Sequence, residues 1–521
     1  MASPHTAVHG GSTTAQLYAQ ALQHAPDNPA IVSGDKTLTY AELAHRSWQT
    51  VRVLQQQGLQ RRDTVALLIG NRMEAIIALI AVHWLGLRYL ALHPLASQED
   101  HCFVLEDAEV KALIADTRQH AERAEALRSS VPLVVTLDDT RSGPGLINLA
   151  EKQDGTPLEL PDDPSEISKL AYTGGTTGRS KGIRHTHRTA VTLVMQALAA
   201  YEWPDTPKYL VTTPISHAAG SLLIPVFLKG GTVYLMEKYS SAAFFEHVQK
   251  HRINLSFLVP TQIYGLLDDP APDQSDSTSL ELVLYGAAPI TPVRLAQALG
   301  KFGPVFGQIY GQAEAPMTIC YLSPKEHDLM QPHRLQSCGR PIPGNQVQLL
   351  DANLSPVPVG EIGELCVRGP LVMDGYLNRP EEDAKVFEGG WLHTGDMARA
   401  DAEGYLYLVD RSKDMIITGG FNVFPSEVEN CLAQHPQVAI SAVIGIPHEK
   451  WGEEVTAIVV LKPDAECDEH EIITYVTEHK GVVHAPKKVI FTDQLPLTAV
   501  GKIDKKTLRA RYWSVQNRQI N

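Results

Sequence analysis

Cysteine is scarce in this 521-residue chain. Its six copies (Cys102, Cys320, Cys338, Cys366, Cys431 and Cys467) show no C-x-x-C and no histidine at zinc spacing. Neither a disulfide framework nor a metal cluster is predicted, and the thiols are expected as reduced core residues. Long apolar runs are missing too: the greasiest, 75–87, has thirteen residues, where a membrane-spanning helix needs about twenty. Residues 1–11 are polar and carry no apolar signal core, so a cytoplasmic protein with no integral membrane segment is expected. Positive charge is in deficit, with 45 Lys plus Arg against 59 Asp plus Glu, a formal charge of −14 and no long basic run. This balance argues against nucleic acid as a partner, and any anionic ligand must be met by local cations.

What is present is a globular composition, 44% hydrophobic and 20% charged, in a chain too long for one ordinary core. From about Thr64, short aliphatic runs (65–69, 112–115, 133–137) alternate with amphipathic stretches, the pattern of β-α units around a largely parallel sheet. A polar, Pro-rich connector at 154–168 leads to a second series, with strands expected near 170–173, 209–213, 232–236, 255–258, 282–285 and 305–310. After Ser337 the texture turns to Gly/Pro turns and short alternating segments, a β-rich subdomain. Beyond the charged cluster at 410–414, helices near 426–433 and 468–478 and strands at 439–446 and 455–461 predict a small α+β module. The expected architecture is α/β: two doubly wound halves and a β-rich subdomain in residues 1–410, then a mobile α+β domain in residues 411–521.

The segment Tyr172-Thr-Gly-Gly-Thr-Thr-Gly-Arg-Ser-Lys-Gly182 is the most informative stretch. Gly174, Gly175 and Gly178 let backbone N–H groups converge on an anion. Thr173, Thr176, Thr177 and Ser180 add hydroxyl donors, and Lys181 adds a charge. A solvated turn would explain an isolated Gly-Gly pair, but not this coincidence of phosphate-binding groups. Ser180 stands where a Walker A loop requires glycine, which excludes that loop. A strand-to-helix transition is expected here, with the helix starting near His185.

Five further motifs follow in order: Pro214 to Gly220, Gln308-Ile-Tyr-Gly-Gln-Ala-Glu314, Leu392-His-Thr-Gly-Asp396, Val409 to Glu429, and Leu495 to Ile503. Together with the glycine-rich loop they closely resemble the adenylate-forming superfamily from about Thr37 to Arg511, and within it the acyl-CoA and aryl-CoA ligases. The resemblance implies a carboxylic acid activated by ATP as an acyl-adenylate, then passed to the thiol of CoA. The alternatives are transfer to an amine (an amide ligase) or to a carrier protein, and a non-catalytic nucleotide-binding protein.

The resemblance also implies roles. Thr173 to Lys181 would hold the β- and γ-phosphates, Tyr310 with Gln308 and Gly311 the adenine, and Asp396 with Arg411 the ribose. Glu314, with Thr173 as a weaker candidate, would bind Mg²⁺, a hard cation that takes oxygen ligands. Lys502 would reach the α-phosphate, Lys413 would be the interdomain hinge, and His217 would gate the acyl pocket from the thiol channel. Ala218, Ala219, Gly286 and Ala287 would line one side of that pocket. Ile309, Gly311, Pro316 and Met317 would line the other, a small and apolar set with no buried cation. Gly419, Gly420, Trp451 and Lys487 would meet CoA. Two departures stand out. Ala313 replaces the threonine usual before the glutamate, and Ala485 stands where some relatives carry a cation near CoA.

Overall fold

The computed structural model describes residues 10–94, 96–140, 144–173, 180–269, 276–411, 414–418, 421–448, 451–463, 465–497 and 503–511. Two large sheets form the amino-terminal body. The six-stranded sheet runs, edge to edge, Leu133–Thr136, Ala112–Ala115, Thr64–Leu68, Arg88–Ala91, Ile167–Thr173 and Lys181–Thr186. All neighbours are parallel except the last pair. The nine-stranded sheet runs Arg340–Pro341, Ala315–Leu322, Phe306–Gln312, Leu282–Tyr285, Leu255–Leu258, Lys208–Val211, Thr232–Leu235, Pro29–Ser33 and Lys36–Thr39, with antiparallel pairs only at its ends. Central strands such as Ala112–Ala115 and Leu255–Leu258 are buried at every position. That is why they read as continuous apolar runs and not as alternation.

Between the sheets lies the helix Met73–Trp84, eleven of whose twelve residues are buried. It touches Arg88–Ala91 of one sheet and Pro29–Ser33 of the other, so the greasiest run in the chain is an interlayer helix. No helix among the described residues is long and apolar enough to cross a membrane. The strand pair at 29–39 crosses over to the edge of the nine-stranded sheet. That crossing rests on residues far downstream and is not visible locally.

The β-rich subdomain is an antiparallel sheet of Gln346–Leu350, Ile362–Arg368, Leu392–Ala400 and Leu406–Arg411. A small carboxy-terminal domain follows, with Val438–His448 and Gly452–Leu461 as its long hairpin and Lys488–Phe491 added in parallel. Helices Pro425–Leu432 and Glu469–Lys480 pack on it. The latter starts on a capping box between Asp468 and Glu471.

One expectation is corrected. The glycine-rich loop does not lead into a helix: Ile167–Thr173 is followed by the antiparallel strand Lys181–Thr186, and the helix begins only at His187. The strands on the two sides of this loop therefore pair as a β-hairpin, and a strand, not a helix, stands directly after it.

Arg72 ties the amino-terminal body together from inside. At 3% exposure its guanidinium meets Asp116 at 2.7 Å and both oxygens of Asp138 at 2.7 and 2.9 Å. Replacing Arg72 by Met strands the buried Asp116 carboxylate and is expected to cost about 3–5 kcal/mol, read as a lower denaturation midpoint. The hydrogen bond from Arg72 is the first cause that lowers the Asp138 carboxyl below its usual value. This contribution is present above the unfolded carboxyl's pKa of about 4 and is lost as pH falls through the folded one. The gap between wild type and variant should shrink in acid.

Candidate active site

The hairpin presents its tip where the Cα atoms of Thr173 and Lys181 pair. Gly174, Gly175, Thr176, Thr177 and Gly178, and the side chain of Thr173, lie outside the described residues. The outer strand is gripped by the segment 374–377: Arg184 N–H donates to the Gly375 carbonyl at 2.9 Å, and Leu377 N–H to Gly182 at 2.6 Å. That segment carries Tyr376, whose hydroxyl donates to Glu314 Oε1 at 2.9 Å. Lys181 Nζ sits 5.2 Å from the centre of the Tyr376 ring and 2.6 Å from Glu382 Oε2. Glu382 escaped the sequence reading, because nothing in its helix marks it as a partner 201 residues away. Both groups of this pair are more than a third exposed, so it is weak.

Ala313 and Glu314 lie in the turn between strands Phe306–Gln312 and Ala315–Leu322. Burial drives the His185 imidazole down to about 3, so it is neutral. Its Nε2 donates to the Ala313 carbonyl at 2.8 Å. The residue that lacks the usual hydroxyl thus fixes the hairpin to the turn through its backbone.

Two motifs far apart in sequence meet at Tyr310, whose hydroxyl donates to Asp396 Oδ2 at 2.6 Å. Burial, with the Asp396 charge second, raises the phenol well above its usual range, so it remains a donor. Asp396 is held from behind. Glu364 Oε1 accepts the Gly395 N–H at 2.8 Å, and Glu364 Oε2 lies 2.7 Å from His393 Nδ1. His393 Nε2 faces the Glu388 carbonyl at 3.2 Å. Cys366 joins Glu364 and His393 closely enough that the three could hold a metal ion, although two of them already serve the backbone of the turn. Glu364 and His393 are positioning residues that spacing alone did not reveal.

Gln308 acquires its orientation through two residues. Tyr285 Oη donates to Gln308 Oε1 at 2.9 Å and lies 2.8 Å from His327 Nε2. Burial lowers His327 to about 4, and its Nδ1 contacts the Ser323 carbonyl at 2.8 Å. With its Oε1 held by the Tyr285 hydroxyl, Gln308 turns its NH₂ group away from Tyr285.

Of the apolar set, Gly286, Ile309, Gly311 and Met317 come together. A Cβ on Gly286 would meet the Ile309 carbonyl oxygen at 2.5 Å, and one on Gly311 the Met317 nitrogen at 2.2 Å, so neither position tolerates a side chain. Ala287 and Met317 hold positive φ, 67° and 58°, strain of the kind that collects at ligand sites. Pro316 stands between Ala315 and Met317 in the same strand, half-buried. Ala218 and Ala219 lie in a short 3-10 turn after His217, and both pack in the core cluster that contains Ile309 and Met317. Burial lowers His217 to about 3, so it is neutral, and Ser216 Oγ lies 2.8 Å from its Nδ1. Lys169, on a strand of the six-stranded sheet, lies within electrostatic reach of His217.

In the carboxy-terminal part, Arg411 is the Cα partner of Asp396, while its side chain lies outside the described residues. Lys413, Gly419, Gly420 and Lys502 also lie outside them. The bridge between Leu497 and Ile503 closes the loop that carries Lys502. Close by, Lys505 pairs with Glu429 at 2.7 Å and Arg509 with Asp414 at 2.7 Å. Trp451 is 37% exposed, so it is not core packing. Lys487 is exposed, with Nζ on the Val482 carbonyl at 2.7 Å. Ala485 is buried in the domain core, which takes it out of ligand contact.

Tyr310→Phe removes the donor to Asp396 and leaves the ring in place. Nucleotide affinity, read by titration calorimetry, is expected to fall about tenfold, as one charge-assisted hydrogen bond implies.

The family model for AMP-binding enzymes matches residues 17–377, and that for the AMP-binding enzyme C-terminal domain matches residues 427–502. A medium/long-chain-fatty-acid–CoA ligase, FadD8 of Mycobacterium tuberculosis, is 44% identical over 97% of this chain and 91% of its own length. A feruloyl-CoA synthase of Amycolatopsis is 35% identical over 94% of this chain and 96% of its own. Among solved structures, the amide bond synthetase McbA from Marinactinospora thermotolerans superposes with a TM-score of 0.88 at 33% identity. It covers 96% of this chain and 100% of its own.

Proposed function

The chain belongs to the AMP-binding enzymes, and we propose that it is an ATP-dependent acid:CoA ligase acting on a hydrophobic acyl or aryl acid. A carboxylate is a poor electrophile, and making it a mixed anhydride with AMP supplies a good leaving group. In the first step a carboxylate oxygen attacks the α-phosphorus and pyrophosphate leaves. In the second, the sulfur of CoA attacks the acyl carbonyl and AMP leaves.

The observation that carries this reading is the 2.6 Å hydrogen bond between Tyr310 and Asp396. It makes one surface of two motifs 86 residues apart, a ring beside a fixed carboxylate, the pair that an adenosine needs. In this reading Tyr310, Gly311 and Gln308 take the adenine, and Asp396 with Arg411 takes the ribose hydroxyls. Residues Thr173 to Gly178 and Lys181 hold the departing pyrophosphate, with Lys181 exchanging Glu382 for it. Glu314 fits a Mg²⁺ ligand: its carboxylate is oriented by Tyr376 beside the Lys181 cation, and Thr173 is a weaker second. The ion would neutralise charge on the phosphates. Lys502 supplies the cation for the α-phosphate. Ala218, Ala219, Gly286, Ala287, Ile309, Pro316 and Met317 hold the acid, with His217 as a neutral gate. Residues 411–521 swing about Lys413 on residues 1–410, bringing Gly419, Gly420, Trp451 and Lys487 to CoA. Transfer to an amine is the second reading, favoured by the likeness to an amide bond synthetase.

Two experiments test this. A panel of carboxylic acids with ATP and either CoA or amines, with products identified by mass, is expected to yield thioesters and AMP; amides alone would overturn the choice of acceptor. Lys502→Ala is expected to lower acyl-adenylate formation about 100-fold or more while sparing thioester formation from supplied adenylate. Equal loss of both half-reactions would contradict its role.

A further inference from the structure

Lys169 occupies the middle of strand Ile167–Thr173, with Tyr89 and His185 as its Cα partners on the two neighbouring strands. Directly paired residues project from the same face of a sheet, so the three side chains form one row. The ends of the row touch two walls of the candidate site. The Tyr89 hydroxyl donates to the Ser216 carbonyl at 2.8 Å, next to His217. His185 donates to the Ala313 carbonyl at 2.8 Å, next to Glu314. Lys169 stands between them, with Nζ 5.6 Å from the centre of the Tyr89 ring.

The groups that face it are His83 from the interlayer helix, whose ring lies 6.0 Å from that of Tyr89, then Tyr89, His185 and His217. None is a carboxylate, and Lys169 has neither an ion pair nor a hydrogen bond among the described residues. His83 Nδ1 and His185 Nδ1 are buried without a partner. Buried ring nitrogens without partners are costly unless something polar fills the space beside them. Lys169 and His217 both keep intermediate exposure. Burial lowers Lys169 to about 8, and lowers His83, His185 and His217 each to about 3. Lys169 is thus the one member of this group that both holds and releases a proton near neutrality.

We propose that this recess receives the acceptor thiol and that Lys169 is a catalytic residue of the thioester-forming step. The assignment rests on the acid:CoA ligase reading. The neutral amine of Lys169 takes the S–H proton. The sulfur forms a bond to the acyl carbonyl carbon, the bond from that carbon to the AMP oxygen breaks, and AMP leaves with the electron pair. The proton stays on Lys169 as ammonium, where it offsets the charge of the sulfur before escaping to solvent. A cation at this position also repels an alkylammonium, so the recess favours a thiol over an amine.

The test separates the half-reactions in Lys169→Met and Lys169→Arg. Single-turnover thioester formation from preformed acyl-adenylate and CoA is expected to slow about 100-fold in both, because guanidinium does not give up its proton. Acid-dependent pyrophosphate exchange should stay within about twofold of wild type. The wild-type rate should level off above pH about 8, while that of K169M should keep rising as the thiol ionises unaided. K169M removes an unpaired cation and should melt no lower than wild type; if it fails to fold, K169R carries the same readout with the charge kept. An unchanged thioester rate, or a parallel fall in exchange, overturns the assignment alone. Adenylate formation by the wild type with no CoA thioester from any acid overturns the ligase reading and this assignment with it.

Discussion

The hydrogen bond from His185 to the Ala313 carbonyl, 2.8 Å long, joins the two large sheets at the point where each presents its polar residues. The hairpin of the six-stranded sheet has one side chain on the turn that carries Glu314. Its outer backbone edge is paired with the segment that carries Tyr376. Glu314, Tyr376 and Lys181 are therefore held relative to one another by the fold before any ligand arrives. A site that must stabilise developing charge gains most from groups that need not reorganise. The bond persists because burial keeps His185 neutral, which leaves it one N–H to give and one direction to give it.

The same logic runs through the rest of the cleft. His327 and His217 are neutral for the same reason. Tyr310 remains protonated because burial and Asp396 both oppose its ionisation. The interior histidines and phenols act as fixed donors and acceptors, while charge is left to groups that can exchange partners, Lys181 above all.

Much of the fold was legible in the sequence. The strands near 112–115, 255–258 and 282–285 fall where their apolar runs place them, because strands buried on both faces need no alternation to be seen. The carboxy-terminal helices and long hairpin were equally plain. The expected strand-to-helix transition missed the strand Lys181–Thr186, although the helix starts at His187, close to the expected His185. Residues 181–186 (Lys-Gly-Ile-Arg-His-Thr) are too polar and too short to declare a strand, and their strand identity comes from pairing on two sides. The site's motifs were legible one by one, while their joints were not. Glu364 with His393, Tyr285 with His327, and Lys181 with Glu382 are tertiary pairs with no local signature. Lys169 is the clearest case: a lysine in a strand reads as a solvated edge, and only the burial of its sheet makes it something else.

The central claim is that the acid's own oxygen attacks the α-phosphorus of ATP, with Glu314, Lys181 and Asp396 arranged for that displacement. Turnover of an acid labelled with oxygen-18 in its carboxylate, followed by mass analysis of the nucleotide, tests this most directly. The account predicts AMP carrying one labelled oxygen and unlabelled pyrophosphate. Label in inorganic phosphate beside ADP, or AMP without label, would contradict it.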